Sequence, residues 1–263
     1  MAGFVGDHHN ETIDDGTQFR NAMQTAINIP RTLSRITPPG IKAMLVKLGV
    51  ALFPRAMKGR FELQYWKTRF NDGKEPFWNA HYEELYTKAF GLKRADYGGK
   101  RVLDIGCGPR GSLEWADMTA QRVGLDPLVP GYLKLGADKH KMEYVASGSE
   151  QIPFPDGHFD IVASLNALDH VDDLDASIRE IKRVVKRGGY LLLSVEVNHA
   201  PTPTEPITIN DETLKKLGPE FEAQDEYRVG TPEDHDLHRA VMSRTPAYVV
   251  GEPGIYIARF LRK

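Results

Sequence analysis

The residues of this chain whose types and spacing could do chemistry fall in four short stretches. The first is Arg101-Val-Leu-Asp-Ile-Gly-Cys-Gly-Pro-Arg-Gly111. Its apolar run from Val102 to Ile105 reads as a buried strand, yet it contains Asp104, and an acid is costly there unless it has a partner. Gly106, Gly108 and Gly111 follow, so bare backbone can approach a ligand where the strand ends. These glycines fit the G-x-G-x-x-G of dinucleotide binders. Asp104, two residues ahead, would repel a pyrophosphate and suits a cationic ligand instead. The second stretch, Gln121-Arg-Val-Gly-Leu-Asp-Pro127, reads as a strand ending in Asp126, an acid able to accept both hydroxyls of a ribose. The third, Ile152-Pro-Phe-Pro-Asp-Gly-His-Phe-Asp160, leads into an apolar strand and then into Asn166-Ala-Leu-Asp-His-Val171. The fourth is Ser194-Val-Glu-Val-Asn-His199, where period two puts Glu196 and Asn198 on one face. With Asp169 these would form an oxygen-rich cluster able to hold Mg²⁺, which could bind vicinal oxygens and acidify a hydroxyl.

Positioning these groups requires strand ends. Strands are expected near 101–105, 122–126, 142–145, 159–165 and 190–197, alternating with helices, a pattern that implies a parallel sheet. The spacing predicts a helix over Asp173–Lys186, with Leu174, Ile178, Ile181 and Val185 on one face, Asp172 or Asp173 as cap and Gly188-Gly189 as stop. Ser112 is expected to cap a short helix through Trp115 and Ala116. Before the sheet the chain is helical in character. Phe19 to Ile27 and Ile41 to Leu52 have helix spacing, the latter closed by Pro54, and Phe61–Phe70 and Phe77–Phe90 give two more helices. Tyr97-Gly-Gly-Lys100 reads as the linker into the sheet, and Tyr256 to Leu261 as the last strand.

Four segments, Val102–Gly111, Val123–Asp126, Gly148–Asp160 and Gly188–Val197, agree in order and spacing as well as in letters with one family. Over roughly residues 98 to 200 the chain resembles the class I S-adenosylmethionine-dependent methyltransferases, in particular the small-molecule group called type 11. It is more loosely similar to actinobacterial enzymes that methylate sugars of mannose-based polysaccharides. The resemblance implies a Rossmann-like α/β fold: a doubly wound, mostly parallel sheet with an antiparallel last strand and an N-terminal helical cap. The expected organisation is a mobile tail over 1–20, a helical cap and acceptor-pocket segment over 21–97, and an S-adenosylmethionine-binding domain over 98–263.

By the resemblance, Asp104, Gly106, Cys107 and Gly108 would meet the methionine and ribose portions, and Asp126 with Pro127 the ribose. Ser149 and Glu150 would meet the adenine, although many relatives have an acid where this chain has Gly148. Asn166 would lie beside the methionine end, or serve only as a turn residue. Tyr65, His81 and Tyr82 of the cap, with Glu196, Asn198 and His199, are the candidate acceptor contacts.

Methyl transfer from a sulfonium is an in-line displacement that depends chiefly on alignment. A hydroxyl acceptor must also lose a proton, and His170, assisted by Asp169, is the candidate base. The Asn/Asp-Pro-Pro-aromatic motif common in aminopurine and amide methyltransferases is missing after Leu165, which favours oxygen over planar nitrogen. Ala200-Pro-Thr-Pro-Thr-Glu-Pro206 should form a stiff extended strap across the site. His235 and His238 could join the site or belong to a solvated loop. The expected activity is O-methylation of a small polar acceptor, most simply a sugar. The alternatives are a lipid-like or polyketide acceptor, a cofactor-binding protein without catalysis, and a nicotinamide-dependent reductase, the last disfavoured by Asp104.

Composition bounds this reading. Lys and Arg number 34 against 36 Asp and Glu, which argues against a general nucleic-acid surface. The single cysteine, Cys107, allows no internal disulfide and fits a reducing, cytoplasmic setting. No secretory signal is visible, and the longest apolar candidate, Ile41 to Phe53, is broken by Lys42 and Lys47, so no membrane span is expected. The partner is a small molecule, with room left for a homodimer.

Overall fold

The computed structural model describes residues 54–71, 79–202, 204–233 and 236–263. The expected tail over 1–20, the apolar faces at Phe19 to Ile27 and Ile41 to Leu52, Trp78 and His235 lie outside the described residues.

The alternation of apolar strands with helices produces one seven-stranded sheet, in the order β3-β2-β1-β4-β5-β7-β6. The strands are β1 Arg101–Ile105, β2 Gln121–Leu125, β3 Glu143–Val145, β4 Phe159–Leu165, β5 Val185–Val197, β6 Phe221–Gly230 and β7 Gly254–Arg262. The first five run parallel, and β7 lies antiparallel between β5 and β6. The helices among the described residues are α1 Pro54–Asn71, α2 Tyr82–Tyr86, α3 Val129–Leu133, α4 Leu174–Val184, α5 Asp211–Leu214 and α6 Leu237–Ser243.

The central strands are buried on both faces, which is why they read as continuous apolar runs rather than alternating ones. Leu103, Ile105, Val162, Leu191 and Leu193 pack on one side with Ile178 and Ile181 of α4. Val102, Ile161, Ala163 and Leu192 pack on the other with Tyr86, Phe90, Tyr97 and Val241. Each fully buried Leu, Ile or Val contributes roughly 1.5–3 kcal/mol relative to exposure. Asp104 has the parity of Val102, so it belongs to the face that Tyr86 covers.

Several expectations are corrected. Residues after Gly106 form turns rather than a helix, and the Ser112 hydroxyl donates to Asp104 Oδ2 instead of capping. Asp173 does cap α4, accepting from Ala176 N–H at 2.9 Å, but the helix stops at Val184. Val185 already pairs with Phe159, and Gly188-Gly189 lie in β5 beside a register shift rather than ending the helix. A Cβ on Gly189 would sit 2.7 Å from the Asp160 carbonyl, so the glycine permits that close approach. Pro54 is the first described residue of α1, and the helix it was expected to close lies outside the described residues. Of the helix expected over 77–90, the described part is α2 and a 3₁₀ turn at Lys88–Phe90. Tyr97 is fully buried and its hydroxyl donates to the Tyr86 carbonyl, so free linker begins only at Gly98.

Candidate active site

The carboxyl ends of β1, β2 and β4 meet at one edge of the sheet. Gly106 has φ 72°, and a Cβ there would fall well inside van der Waals contact of Ala167, so the loops after β1 and β4 touch. Asp126 caps β2 from a site only 7% exposed. Its Oδ1 accepts the Leu128 N–H at 2.8 Å, and its Oδ2 lies 3.4 Å from the Tyr132 hydroxyl. Burial pushes its carboxyl up to about 6 despite those hydrogen bonds. Asp104 is 1% exposed, and burial raises it to about 7 against the Ser112 and Tyr86 hydroxyls. Two desolvated carboxyl groups thus stand near each other at this edge, Asp126 adding to the rise of Asp104.

The other expected cofactor contacts divide. Pro127 is exposed at the rim, and Asn166 is an exposed left-handed turn residue whose N–H donates to Ser194 O at 2.7 Å. Cys107 is buried, and a Cβ on Gly124 of β2 would meet its sulfur at 2.6 Å, so the thiol packs on that strand. The Ser149 hydroxyl donates to Ser177 of α4 at 2.8 Å, and Glu150 Oε1 accepts the Asp172 N–H at 2.9 Å. Both side chains are therefore turned toward α4 and its approach.

Helix α1 crosses this edge. Lys58, Glu62 and Trp66 recur every four residues and so share a face. Trp66 rests on the glycine loop, 3.4 Å from where a Gly108 Cβ would be, with the Arg110 guanidinium 5.1 Å from its ring. Leu63 lies against Gly131 of α3. Tyr65 stacks edge-on with Trp66 at 5.3 Å. His81 and Tyr82 stack at 4.3 Å on the Arg110 side, and His238 of α6 meets His81 at 5.6 Å. Burial, His238 and Arg110 hold the His81 imidazole down at about 4, so it is neutral near neutral pH.

The second half of the site follows β4 and β5. Asp169, His170 and Glu205 present ligand-type atoms within 4.8 Å of one another. Asp169 is 1% exposed; its Oδ2 lies 3.5 Å from His199 Nε2, and its Oδ1 is buried without a hydrogen-bond partner. His170 Nδ1 lies 3.2 Å from Glu62 Oε1, while its Nε2 is buried, unbonded and 3.8 Å from Glu205 Oε1. Burial alone would lower His170, but the Glu62 hydrogen bond and the charges of Asp169, Glu62 and Glu205 outweigh it and raise the imidazole above its ordinary value. Asp169 raises His199 to about 9. Burial, then Glu205 and Asp169, raises Glu196, which places that carboxyl in the same group.

Asn198 does not join them. Its φ of 59° breaks the strand's alternation, and its amide donates to the Tyr248 hydroxyl at 2.9 Å and the Glu252 carbonyl at 3.2 Å. The oxygen-rich set expected from Asp169, Glu196 and Asn198 is replaced by Asp169, His170 and Glu205, with Glu196 nearby. Glu205 arrives on the proline-rich strap, which does not stay extended: the Thr202 N–H donates to the Glu205 carbonyl at 2.9 Å and the Glu205 N–H to Thr202 Oγ1 at 3.0 Å, and the strap is pinned where the Ile207 N–H donates to the Asp169 carbonyl at 3.3 Å. Glu62 and Glu205 are absent from the sequence-based set. The signals were a four-residue charged stripe in α1 and one acid between the prolines of the strap.

Comparison with known proteins agrees with this layout. Residues 103–193 match the family model described as "Methyltransferase domain". The chain is 33% identical over 132 residues to a ubiquinone/menaquinone biosynthesis C-methyltransferase of Shewanella frigidimarina, covering 46% of this chain and 49% of that protein. It is 29% identical over 159 residues to a phthiotriol/phenolphthiotriol dimycocerosates methyltransferase of Mycobacterium tuberculosis, covering 53% and 58%. The chain thus spans about half the length of the curated relatives it matches. Among solved structures, the N-methyltransferase NodS of Bradyrhizobium japonicum, in complex with S-adenosylhomocysteine, shares the fold at TM-score 0.51 and 14% identity, covering 70% and 88%. The [4+2]-cyclase SpnF shares it at TM-score 0.52 and 22% identity, covering 69% and 79%. Among the described residues no helix is long and apolar enough to cross a membrane.

Proposed function

We propose that this chain, a member of the class I S-adenosylmethionine-dependent methyltransferases, transfers a methyl group to a hydroxyl of a small polar acceptor. The observation that carries this reading is the cluster of Asp169, His170, Glu196, Glu205 and His199 at the end of β4 and β5. Such a set can accept hydrogen bonds from several hydroxyls at once, as a sugar presents them. Residues 98–263 would form the cofactor-binding domain, and the cap over 21–97 would help enclose the acceptor.

In this reading Gly106 and Gly108 let backbone approach the cofactor, Asp126 accepts the ribose hydroxyls, and Asp104 favours the cationic end. Pro127, Ser149, Glu150 and Asn166 complete the rim, largely through backbone. The acceptor hydroxyl gives its proton to His170 Nε2 as its oxygen attacks the methyl carbon. The carbon–sulfur bond breaks, and S-adenosylhomocysteine leaves neutral at sulfur. Tyr65, His81 and Tyr82 line the approach.

The test is a screen with labelled methyl donor over sugars, phenols, quinones and fatty acids. Label in a sugar hydroxyl supports the proposal. Label on carbon of a quinone or lipid favours the apolar acceptors named for the relatives, and binding of donor without any transfer supports a non-catalytic role, since the cyclase shows that this fold also serves other chemistry.

A second reading concerns the same cluster. The unpartnered Asp169 Oδ1 favours a divalent cation such as Mg²⁺, held by Asp169, His170 and Glu205, which would polarise the hydroxyl itself. Undiminished turnover after chelator treatment removes it.

Asp126 gives a pH dependence with a definite sign. A ribose hydroxyl is held by the ionised carboxylate, whose value in the free protein is about 6. S-adenosylhomocysteine affinity should therefore weaken as pH falls through that value, by up to about tenfold per pH unit. Calorimetry across this range checks it, and Asp126→Asn should lower affinity and remove the part of the limb near 6, leaving only what Asp104, held at about 7, contributes. An unchanged limb in the variant refutes the assignment.

A further inference from the structure

We infer that Glu62 of the cap helix is a positioning residue that sets the tautomer and ring orientation of His170. The inference rests on the proposed proton transfer to His170 and deepens it. Two groups of α1, one turn apart, grip this one residue. The Lys58 ammonium donates to the His170 backbone carbonyl and lies 3.7 Å from Asp172, fixing the turn from below. Glu62 Oε1 stands 3.2 Å from the ring Nδ1.

An ionised carboxylate can only accept, so in the neutral imidazole the proton sits on Nδ1 and the lone pair on Nε2. Nε2 is the atom that faces Glu205 and Asp169, is buried, and has no hydrogen-bond partner. The opposite tautomer would leave Nδ1 and Glu62 as two acceptors face to face at 3.2 Å, while its Nε2–H would gain only Glu205 Oε1 at 3.8 Å, beyond hydrogen-bond reach. Glu62 therefore selects the one neutral form that can take a proton from a hydroxyl placed among those acids. Its side chain is 25% exposed and His170 is 26% exposed, so the pair is partly desolvated and its geometry is held by packing as well as by charge. The rest of the α1 face is fixed independently, by Leu63 on Gly131 and Trp66 on the glycine loop. The cap helix thus contributes to the reacting centre and does not only cover it.

The test uses the full chain with S-adenosylhomocysteine bound and ¹⁵N-labelled histidine. At alkaline pH the wild-type His170 ring should show a protonated Nδ1 and a pyridine-type Nε2, and Glu62→Ala should shift it toward protonated Nε2. Outer partners of a functional histidine are typically worth about 10–100-fold. Glu62→Ala should lower kcat by that factor with the cofactor KM unchanged, and should cost nothing further in a His170→Ala background. Glu62→Gln, which keeps an acceptor oxygen, should recover part of the loss. Leu63→Ala loosens the same helix without touching His170, and should raise the cofactor KM while leaving the tautomer alone. A wild-type ring protonated on Nε2, or Glu62→Ala with wild-type kcat, overturns the inference. Failure to methylate any hydroxyl would instead sink the parent reading, because the tautomer is read from the spectrum without turnover.

Discussion

Gly106→Val is expected to cost about 3–5 kcal/mol of stability and to abolish cofactor binding. Two effects combine. At φ 72° any β-branched residue is strained, and the added Cβ would overlap Ala167 in the loop after β4. Relief requires that loop to move, and the loop carries Asp169 and His170. Urea unfolding gives the first quantity and calorimetry with S-adenosylhomocysteine the second. Gly108→Ala is the graded comparison: its Cβ would meet only the Trp66 ring at 3.4 Å, so beyond the strain of φ 59° the ring has room to give. A Gly106→Val protein with a wild-type unfolding midpoint would mean that the two loops are not in contact.

His170→Ala should reduce kcat by about 10²–10⁴, the usual range for a positioned general base, with cofactor affinity preserved. His199 is a poor substitute. Asp169 holds it at about 9, so near neutral pH it is protonated and cannot accept another proton. His81 is neutral, but it stands on the Arg110 side of the crevice, stacked on Tyr82 and His238. Wild-type turnover in His170→Ala would remove the ring as base. Loss of activity that chelator reproduces in the wild type would move the proton's acidification to a bound cation.

The sheet and the acids at its carboxyl edge were legible in the sequence because their signals are local. Val102 to Ile105 is apolar except for Asp104, and Ile161 to Leu165 except for Ser164, since both faces of the sheet are covered, and an acid within such a strand or at its end stands out against the rest. Asp104 and Asp126 were read in that way. Helix ends were less legible. Ser112 satisfies Asp104 rather than a helix, and Val185 answers to Phe159 of β4 rather than to α4. Ser112 finds its partner across the glycine turn and Val185 finds its partner on another strand, so neither outcome shows in the local helix signal. The acceptor side was half legible. Asp169, His170, Glu196 and His199 are marked by strand ends, but Asn198 leaves the group through a left-handed φ that its letter alone does not announce. Glu62 and Lys58 went unseen because apolar spacing located the helix from Phe61 onward but said nothing of the charged stripe it turns inward.

The strand order carries a consequence for how the molecule is made. Within the sheet, β6 has β7 as its neighbour, and β5 borders β7 along Tyr190–Val197. Strands β1 to β4 can pair among themselves while a ribosome is still translating the remainder of the chain. Glu196, by contrast, stands opposite Ile255, almost sixty positions downstream. The β1–β4 pairing of Val102 with Ile161 spans the same distance, so the order of synthesis rather than sequence separation sets the two halves apart. A nascent chain halted before Gly254 would present β1 to β4 largely assembled and β5, with Glu196, without its border.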